Sequence, residues 1–170
     1  MFILYECILF LFIIFTESSL LKYLSICLCF GYLLYHHILD KKLLIILIAD
    51  ILLLFTHYEA LGIFLFMSVQ VLYHYEMRQH DYFYCFMLGG LFFQIYILSF
   101  LYAFMSIINM ITAYKQKHWL FNTLILLFMC DVCVGLQYML HSSIPLIWIF
   151  YLPSQVYYTK KVLSMKIKPL

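Results

Sequence analysis

The stretch LLIILIADILLLF, residues 43–55, places one aspartate, Asp50, inside an otherwise apolar run. Such a run is typical of a membrane-spanning helix, because lipid accepts apolar side chains and leaves the backbone to satisfy its own hydrogen bonds. A carboxyl group inside the bilayer is costly, so it usually faces a polar cavity or a partner and marks a functional site. Asp50 is therefore the first candidate for function.

The composition of the whole chain fits this interpretation. Of 170 residues, 67% are hydrophobic and 11% are charged, whereas an ordinary soluble domain has roughly 25% charged residues. The charges gather in short groups such as DKK (40–42), EMRQHD (76–81) and KQK (115–117), with apolar stretches between them. We predict an all-α, multi-pass integral membrane protein with a single domain over 1–170, in the cell membrane if the source is bacterial. The net charge of +2 and the lack of a basic patch indicate no nucleic-acid partner.

The apolar stretches predict a bundle of eight transmembrane helices. Residues 1–16 lack the basic segment and small-residue cleavage site of a secretory signal, so they are interpreted as the first spanning helix. The break near 94–99 carries no charge, and a single long helix there would reduce the count to seven. The predicted helices cover residues 1–16, 20–36, 43–56, 59–75, 82–95, 98–114, 118–139 and 144–159.

The distribution of basic residues favours eight helices over seven. Lys and Arg concentrate in short cytoplasmic loops, and eight helices with a cytoplasmic N-terminus leave only Lys22 outside. Seven helices would split the later lysines between the two sides. Both termini are therefore predicted to be cytoplasmic, with these residues inside: Lys41, Lys42, Arg78, Lys115, Lys117, Lys160, Lys161, Lys166 and Lys168.

Asp50 has a counterpart in LLFMCDVCVGL, residues 126–136, where Asp131 also follows a small residue. The helix after each aspartate carries a glutamine, Gln70 and Gln155, and this spacing suggests a parallel four-plus-four repeat. We expect both carboxyl groups to face one interior cavity. Desolvation and like charge would then keep one carboxyl neutral beside one that stays charged, which makes an acid/base pair. The alternative is that each aspartate is an interhelical hydrogen-bonding group.

Other polar residues are given structural roles. Cys130 and Cys133 share a helix face without a second ligand pair, so they are interpreted as small buried side chains. Glu6 lies near the chain end and is expected to be solvated. Four residues at a cytoplasmic helix end could hold a metal, but solvated polar residues are expected there, so no metal and no cofactor are predicted. These four are His74, Glu76, His80 and Asp81.

Taken together, these positions resemble the YhhN-like lysoplasmalogenases over nearly the whole chain. In that family the third helix carries Gly-Asp, matched by Ala49-Asp50, and the seventh carries Ser-Asp, matched by Cys130-Asp131. The family places a His where this chain has Gln70, and an amide cannot exchange a proton at neutral pH. The further matching positions are Lys22, Gly62, Phe66, Tyr73, Tyr102, Tyr151 and Gln155.

The resemblance implies hydrolysis of the vinyl ether bond of a lysoplasmalogen, a single-chain lysophospholipid, to a fatty aldehyde and a glycerophospho head group. It implies that Asp50 and Asp131 are catalytic. Two other functions remain open: a small proton- or cation-coupled transporter, and a non-catalytic membrane subunit. The residues that the resemblance implies for substrate binding are Gln70, Tyr73, Tyr102, Tyr151 and Gln155.

Overall fold

The computed structural model describes residues 1–16, 18–77, 84–90, 94–140 and 146–167. Over these ranges the chain is all-helical and has eight helices, so the predicted helix class and count are confirmed. The helices are α1 (Phe2–Thr16), α2 (Ser19–Tyr35), α3 (Lys41–Phe55), α4 (Glu59–Glu76), α5 (Cys85–Gly90), α6 (Ile95–Lys115), α7 (Phe121–Leu140) and α8 (Leu146–Ile167).

The largest difference from the predicted boundaries is in α8, which continues to Ile167 instead of ending at 159. The prediction took Lys160 and Lys161 as the start of a loop. Lysine is a good helix former, so the helix continues through the charged segment. The predicted helix 82–95 is described only as the six residues of α5, and 91–93 lie outside the described residues.

The helices form two compact units. One comprises Met1–Asp40 and Asn122–Leu170, and the other comprises Lys41–Phe121. Asp131 therefore belongs to the first unit and Asp50 to the second. This division differs from the boundary of the predicted four-plus-four repeat, which stays a prediction.

In the second unit α4 packs against α3, α5 and α6. Lys42 of α3 pairs with Glu76 of α4 at 2.8 Å, so these two helices are antiparallel. Phe66 contacts Tyr102, and further along both helices the α4 side chain His74 meets Asn109, so α4 and α6 are parallel. Glu76, which ends α4, and Ile95, which begins α6, therefore lie at opposite ends of this helix pair, as expected from eight helices. One buried apolar cluster between these helices consists of Met67, Val71, Leu98 and Met105.

In the first unit α1, α2 and α8 pack against one another. The ring of Phe2 stacks on Tyr32 with centroids 4.2 Å apart, which makes α1 antiparallel to α2. Lys22 lies over Trp148, and beyond the far end of α2 the hydroxyl of Tyr158 donates to Asp40 at 3.0 Å. Helices α2 and α8 are therefore parallel, as the alternation of eight helices requires.

The C-terminal ends of α2 and α6 have the same type of cap, and neither cap uses a glycine. At the end of α2, Ile38 N–H donates to the Leu33 carbonyl, and at the end of α6, His118 N–H donates to the Ala113 carbonyl. Both ends place the intervening residue, His37 or Lys117, at positive φ. This pattern is the Schellman motif, which satisfies the last carbonyls of a helix.

Within the described ranges, one helix, α6, is long and apolar enough to cross a membrane by the criteria of length and composition. Among the described residues, α1, α2 and part of α7 are shorter apolar helices. Large apolar side chains are exposed on several helices, including Leu4, Phe15, Tyr96 and Phe100.

Candidate functional site

The carboxyl group of Asp50 lies inside the protein. Its residue is 4% exposed and belongs to the buried face of α3 with Ala49, Ile46 and Leu43, which recur at helical spacing. The structure therefore places Asp50 away from the surface.

Asp131 lies on α7 beside Cys130 and Cys133, both of which are buried. The residue as a whole is partly exposed, but its Oδ2 atom is buried. The two cysteines are reduced and 6% exposed, consistent with their interpretation as small buried side chains. The expected cavity shared by Asp50 and Asp131 stays a prediction.

A close approach between α3 and α4 adjoins Asp50. A β carbon on Gly62 would lie 2.8 Å from both Cγ and Cδ2 of Leu53, and 3.4 Å from the carbonyl oxygen of Ala49. Only glycine fits there without displacing Leu53. The residue that the family resemblance singled out at this position is therefore required by the packing of α4 on the helix that carries Asp50.

Two turns further along α4, three polar residues are buried: Gln70, Tyr73 and His74 are 1%, 0% and 3% exposed. Burying polar groups is costly unless they are hydrogen-bonded, and most buried polar groups in proteins have such partners. Gln70 and Tyr73 were predicted from sequence as substrate-binding residues, and the structure brings them onto one buried surface of α4.

Asn109 of α6 links this set. Its Nδ2 donates to the backbone carbonyl of Gln70 and to Gln70 Oε1, both at 2.8 Å, and its Oδ1 lies 2.8 Å from Nδ1 of His74. Because this amide oxygen can only accept, Nδ1 of His74 carries a proton. The bond from Asn109 to Gln70 Oε1 fixes the orientation of the Gln70 amide, with its oxygen facing α6.

Sequence reasoning did not find the role of Asn109 or of His74. Asn109 sits in an apolar run without a matching partner in the sequence, and His74 was weighed only as a helix-end metal ligand. The signal was available in principle, since His74 follows Gln70 by one turn and must share its face of α4.

Tyr102 of α6 is partly buried and packs edge-on against Phe66, with ring centroids 6.3 Å apart. It belongs to the apolar layer around Met67 and Met105. Of the predicted site residues in this unit, Asp50, Gln70 and Tyr73 are buried, and Tyr102 lies at the side of the core.

The other two predicted binding residues lie one turn apart on α8. Tyr151 is 6% exposed and packs perpendicular to Trp148, with centroids 5.1 Å apart. Gln155 is fully buried, and its Nε2 lies 3.4 Å from the hydroxyl oxygen of Ser154. Among the described residues, Gln155 Oε1 has no hydrogen-bond partner.

The prediction that Glu6 is solvated is wrong. Glu6 is 2% exposed, the hydroxyl of Ser25 donates to its Oε2 at 2.6 Å, and the thiol of Cys29 lies 3.5 Å from its Oε1. The antiparallel packing of α1 on α2 turns this side chain inward, which its position near the end of the chain did not indicate.

At the end of the second unit, His118 lies between α6 and α7 and its Nδ1 accepts a hydrogen bond from the backbone of Leu120. Burial lowers the pKa of His118, and the nearby carboxylate of Glu76 opposes this shift. Glu76 itself pairs with Lys42. Of the described residues, no three His, Cys, Asp or Glu side chains form a group that could hold a metal, and His80 and Asp81 lie outside them.

Comparisons of the chain with protein-family models, with curated proteins and with solved structures give no match.

Proposed function

We propose that the chain is a multi-pass integral membrane protein and that it hydrolyses the vinyl ether bond of single-chain lysophospholipids. The membrane assignment is supported by the distribution of side chains, since large apolar ones are exposed and several polar ones are fully buried. Leu4, Phe15 and Phe100 are 63%, 83% and 72% exposed. Fully buried residues instead include the polar side chains Ser25, Ser106, Asn109, Thr123, Ser154, Gln155 and Thr159. Apolar surface of this kind is stable in contact with lipid, whereas its exposure to water is unfavourable.

The observation that carries the proposed activity is the buried carboxyl group of Asp50 on α3, which packs against α4. Gln70 and His74 of α4 form one hydrogen-bonded network with Asn109 of α6. Buried titratable groups near fixed donors are the usual material of an acid/base site. A single-chain amphiphile could enter such a site from the side, through the bilayer.

Vinyl ether hydrolysis needs few groups. A proton adds to the alkenyl carbon and leaves an oxocarbenium ion, water attacks this cation, and the resulting hemiacetal breaks down to an aldehyde and an alcohol. A neutral carboxylic acid can supply the proton, and an ionised carboxylate can stabilise the cation and accept a proton from the attacking water. We assign these two roles to Asp50 and Asp131, in either order, as glycosidases use two carboxyl groups around a similar cation.

The binding residues in this proposal provide donors and aromatic surface. Gln70 offers its amide N–H groups because its oxygen faces Asn109, and an ether or phosphate oxygen is a suitable acceptor. Tyr73, Tyr102 and Tyr151 add aromatic surface and hydroxyl groups, and Gln155 Oε1 offers a buried acceptor.

The family has a histidine where this chain has Gln70, and His74 provides an imidazole on the same helix. The imidazole lies one turn further along the same helix and is connected to Gln70 through Asn109. The network therefore contains an imidazole ring, displaced by one turn from the position of the family's histidine.

One observation favours the proton-coupled transporter as a second candidate. Glu6 adds a third carboxyl group within an apolar helix, and proton pathways in membranes use such groups.

The test is to reconstitute the purified protein in phosphatidylcholine vesicles with a 1-alkenyl lysophospholipid and to measure free aldehyde. Matched lipids with a saturated 1-alkyl ether or a 1-acyl ester serve as controls, because neither can form the oxocarbenium ion by protonation at carbon. We expect aldehyde from the alkenyl lipid alone. Release of fatty acid from the ester, or no product from any of the three lipids, would overturn the proposal.

A further inference from the structure

Glu6 lies on the buried side of α1, where it is 2% exposed between the apolar residues of FILYECILFLFIIFT. In the part of the chain that the structure describes, no ion pair joins it to a basic side chain. A carboxylate buried without a cation is costly, and such a group normally takes up a proton instead. The proposed hydrolysis does not use this residue.

Two side chains of α2, one turn apart, hold the two oxygens of this carboxyl group separately. Ser25 contacts Oε2 at 2.6 Å and Cys29 contacts Oε1 at 3.5 Å, and both residues are fully buried. A hydroxyl can donate to a carboxylate or accept from a carboxylic acid, whereas a thiol can donate weakly to the other oxygen in both states. The site therefore keeps its hydrogen bonds whether or not Glu6 carries a proton.

Helix α8 packs against both α1 and α2. It places Thr159, fully buried, beside the Cys29 thiol. One turn back on the same helix is Gln155, whose buried Oε1 has no partner among the described residues. These groups are neutral.

Among the described residues of α2 and α8, no basic side chain forms an ion pair with Glu6. On α2 the titratable neighbour is the thiol of Cys29, and Lys22, one turn before Ser25, lies over the ring of Trp148. On α8, Tyr158 donates its hydroxyl to Asp40.

We propose that Glu6, with Ser25 and Cys29, forms a proton-binding site inside α1, α2 and α8, at which the carboxyl group takes up and releases one proton. The ligand is the proton itself. The site is independent of the proposed hydrolysis, because it is built by other residues.

The probe is dicyclohexylcarbodiimide, an apolar reagent that reacts with carboxylic acids in lipid surroundings. The acid adds across one C=N bond, its proton moves to nitrogen, and an acyl shift from oxygen to nitrogen leaves a stable N-acylurea with no other reactant consumed. The full-length protein in vesicles is labelled over a series of pH values. The adduct is located by mass spectrometry of the peptide that ends at Lys22.

We expect labelling of this peptide that falls as the pH rises, with one midpoint. Glu6→Gln should abolish it, and Glu17→Gln, which changes the other carboxyl group of the same peptide, should leave it unchanged. Ser25→Ala removes a hydrogen bond that is stronger to the charged form than to the acid, so the midpoint should move to higher pH, by about one unit. Ser25→Thr retains the hydroxyl and should keep the midpoint of the unchanged protein, as should Ser19→Ala.

Circular dichroism of each variant checks that helix content is retained, and Ser25→Cys, which replaces the hydroxyl by a weaker donor, takes the place of Ser25→Ala if the latter does not fold. The proposal is overturned if the peptide is not labelled at any pH, if labelling survives Glu6→Gln, or if labelling is independent of pH. A midpoint that does not move in folded Ser25→Ala would also overturn the assigned role of Ser25.

Discussion

Asn109 of α6 donates two hydrogen bonds of 2.8 Å to Gln70 of α4, one to the backbone carbonyl and one to the side-chain oxygen. Both residues are buried, so water does not replace these bonds if they are lost. This pair fixes the orientation of the Gln70 amide, and it ties His74 to the same network.

Substitution of Asn109 by leucine should destabilise the protein. The change leaves Gln70 Oε1 and the Nδ1–H of His74 without their partner, and each buried polar group left unsatisfied costs about 1–3 kcal/mol. The expected result is a lower melting temperature in detergent. Asn122→Leu is the control, because Asn122 is exposed and, among the described residues, its side chain bonds only the Tyr157 hydroxyl; a surface change of this kind stays within about 0.5 kcal/mol. Equal shifts in the two variants would contradict the role of Asn109.

Gly62→Ala should loosen the packing of α3 on α4. The new β carbon would lie 2.8 Å from Leu53, so that side chain must move, and overpacking of this kind costs typically 1–3 kcal/mol. Leu53→Ala should restore room, so the double variant should lose less stability than the two single losses add up to. Gly31→Ala is the matched control, since a β carbon there meets no atom within 4 Å. If the stability losses of the two single variants add up in the double variant, the contact between position 62 and Leu53 does not limit the packing of α3 on α4.

The number and order of the helices could be predicted from sequence because the charged groups and the lengths of the apolar stretches between them separate one helix from the next. The choice of eight over seven depended on the basic residues, and the parallel arrangement of α4 and α6 agrees with it. The end of α8 could not be placed, because lysines mark polar surroundings without ending a helix.

The polar interior was only partly predictable. Asp50 and Gln70 stood out because each is a polar residue in an apolar run, and both are buried. Glu6 and Asn109 were missed since their roles depend on which helices meet, and single-helix patterns do not contain that information. Glu6 is paired with Ser25, nineteen positions away, and Asn109 with Gln70, thirty-nine positions away.

The membrane orientation can be tested with reporters. A reporter fused after Leu170 and one inserted at Gln79 should both read as cytoplasmic, because nine of ten basic residues then lie inside. A reporter inserted beside Lys22 should read as external. Opposite locations for the first two reporters would contradict the eight-helix topology.

His118 should make the stability of the protein depend on pH. Burial lowers its pKa in the folded state, so below the ordinary value of about 6.5 the unfolded chain binds more protons than the folded one. Stability is therefore retained above about pH 6.5 and is lost as the pH falls from there towards the lower pKa of the folded state. The melting temperature measured between pH 8 and pH 5 should fall less in His118→Asn than in the unchanged protein. Identical pH profiles would show that another group is responsible.

The central claim is that Asp50 is a carboxyl group that acts on the alkenyl ether. Asparagine keeps its shape but can neither donate an acidic proton nor hold a negative charge, whereas an interhelical hydrogen bond survives the change. Asp131→Asn should behave in the same way, and because the proposed mechanism has both groups act on one transition state, the double variant should lose less than the product of the single losses. Asp40→Asn is the control, since Asp40 is also buried and bonds the Tyr158 hydroxyl.

The most direct measurement is the initial rate of aldehyde release from a 1-alkenyl lysophospholipid by Asp50→Asn, compared with the unchanged protein and with Asp40→Asn. Acid–base catalysis typically contributes a factor of roughly 10² to 10⁴, so we predict a loss of that size in Asp50→Asn with helix content retained and a rate near that of the unchanged protein in Asp40→Asn. An Asp50→Asn variant that releases aldehyde as fast as the unchanged protein, or an unchanged protein that releases none, would contradict the claim.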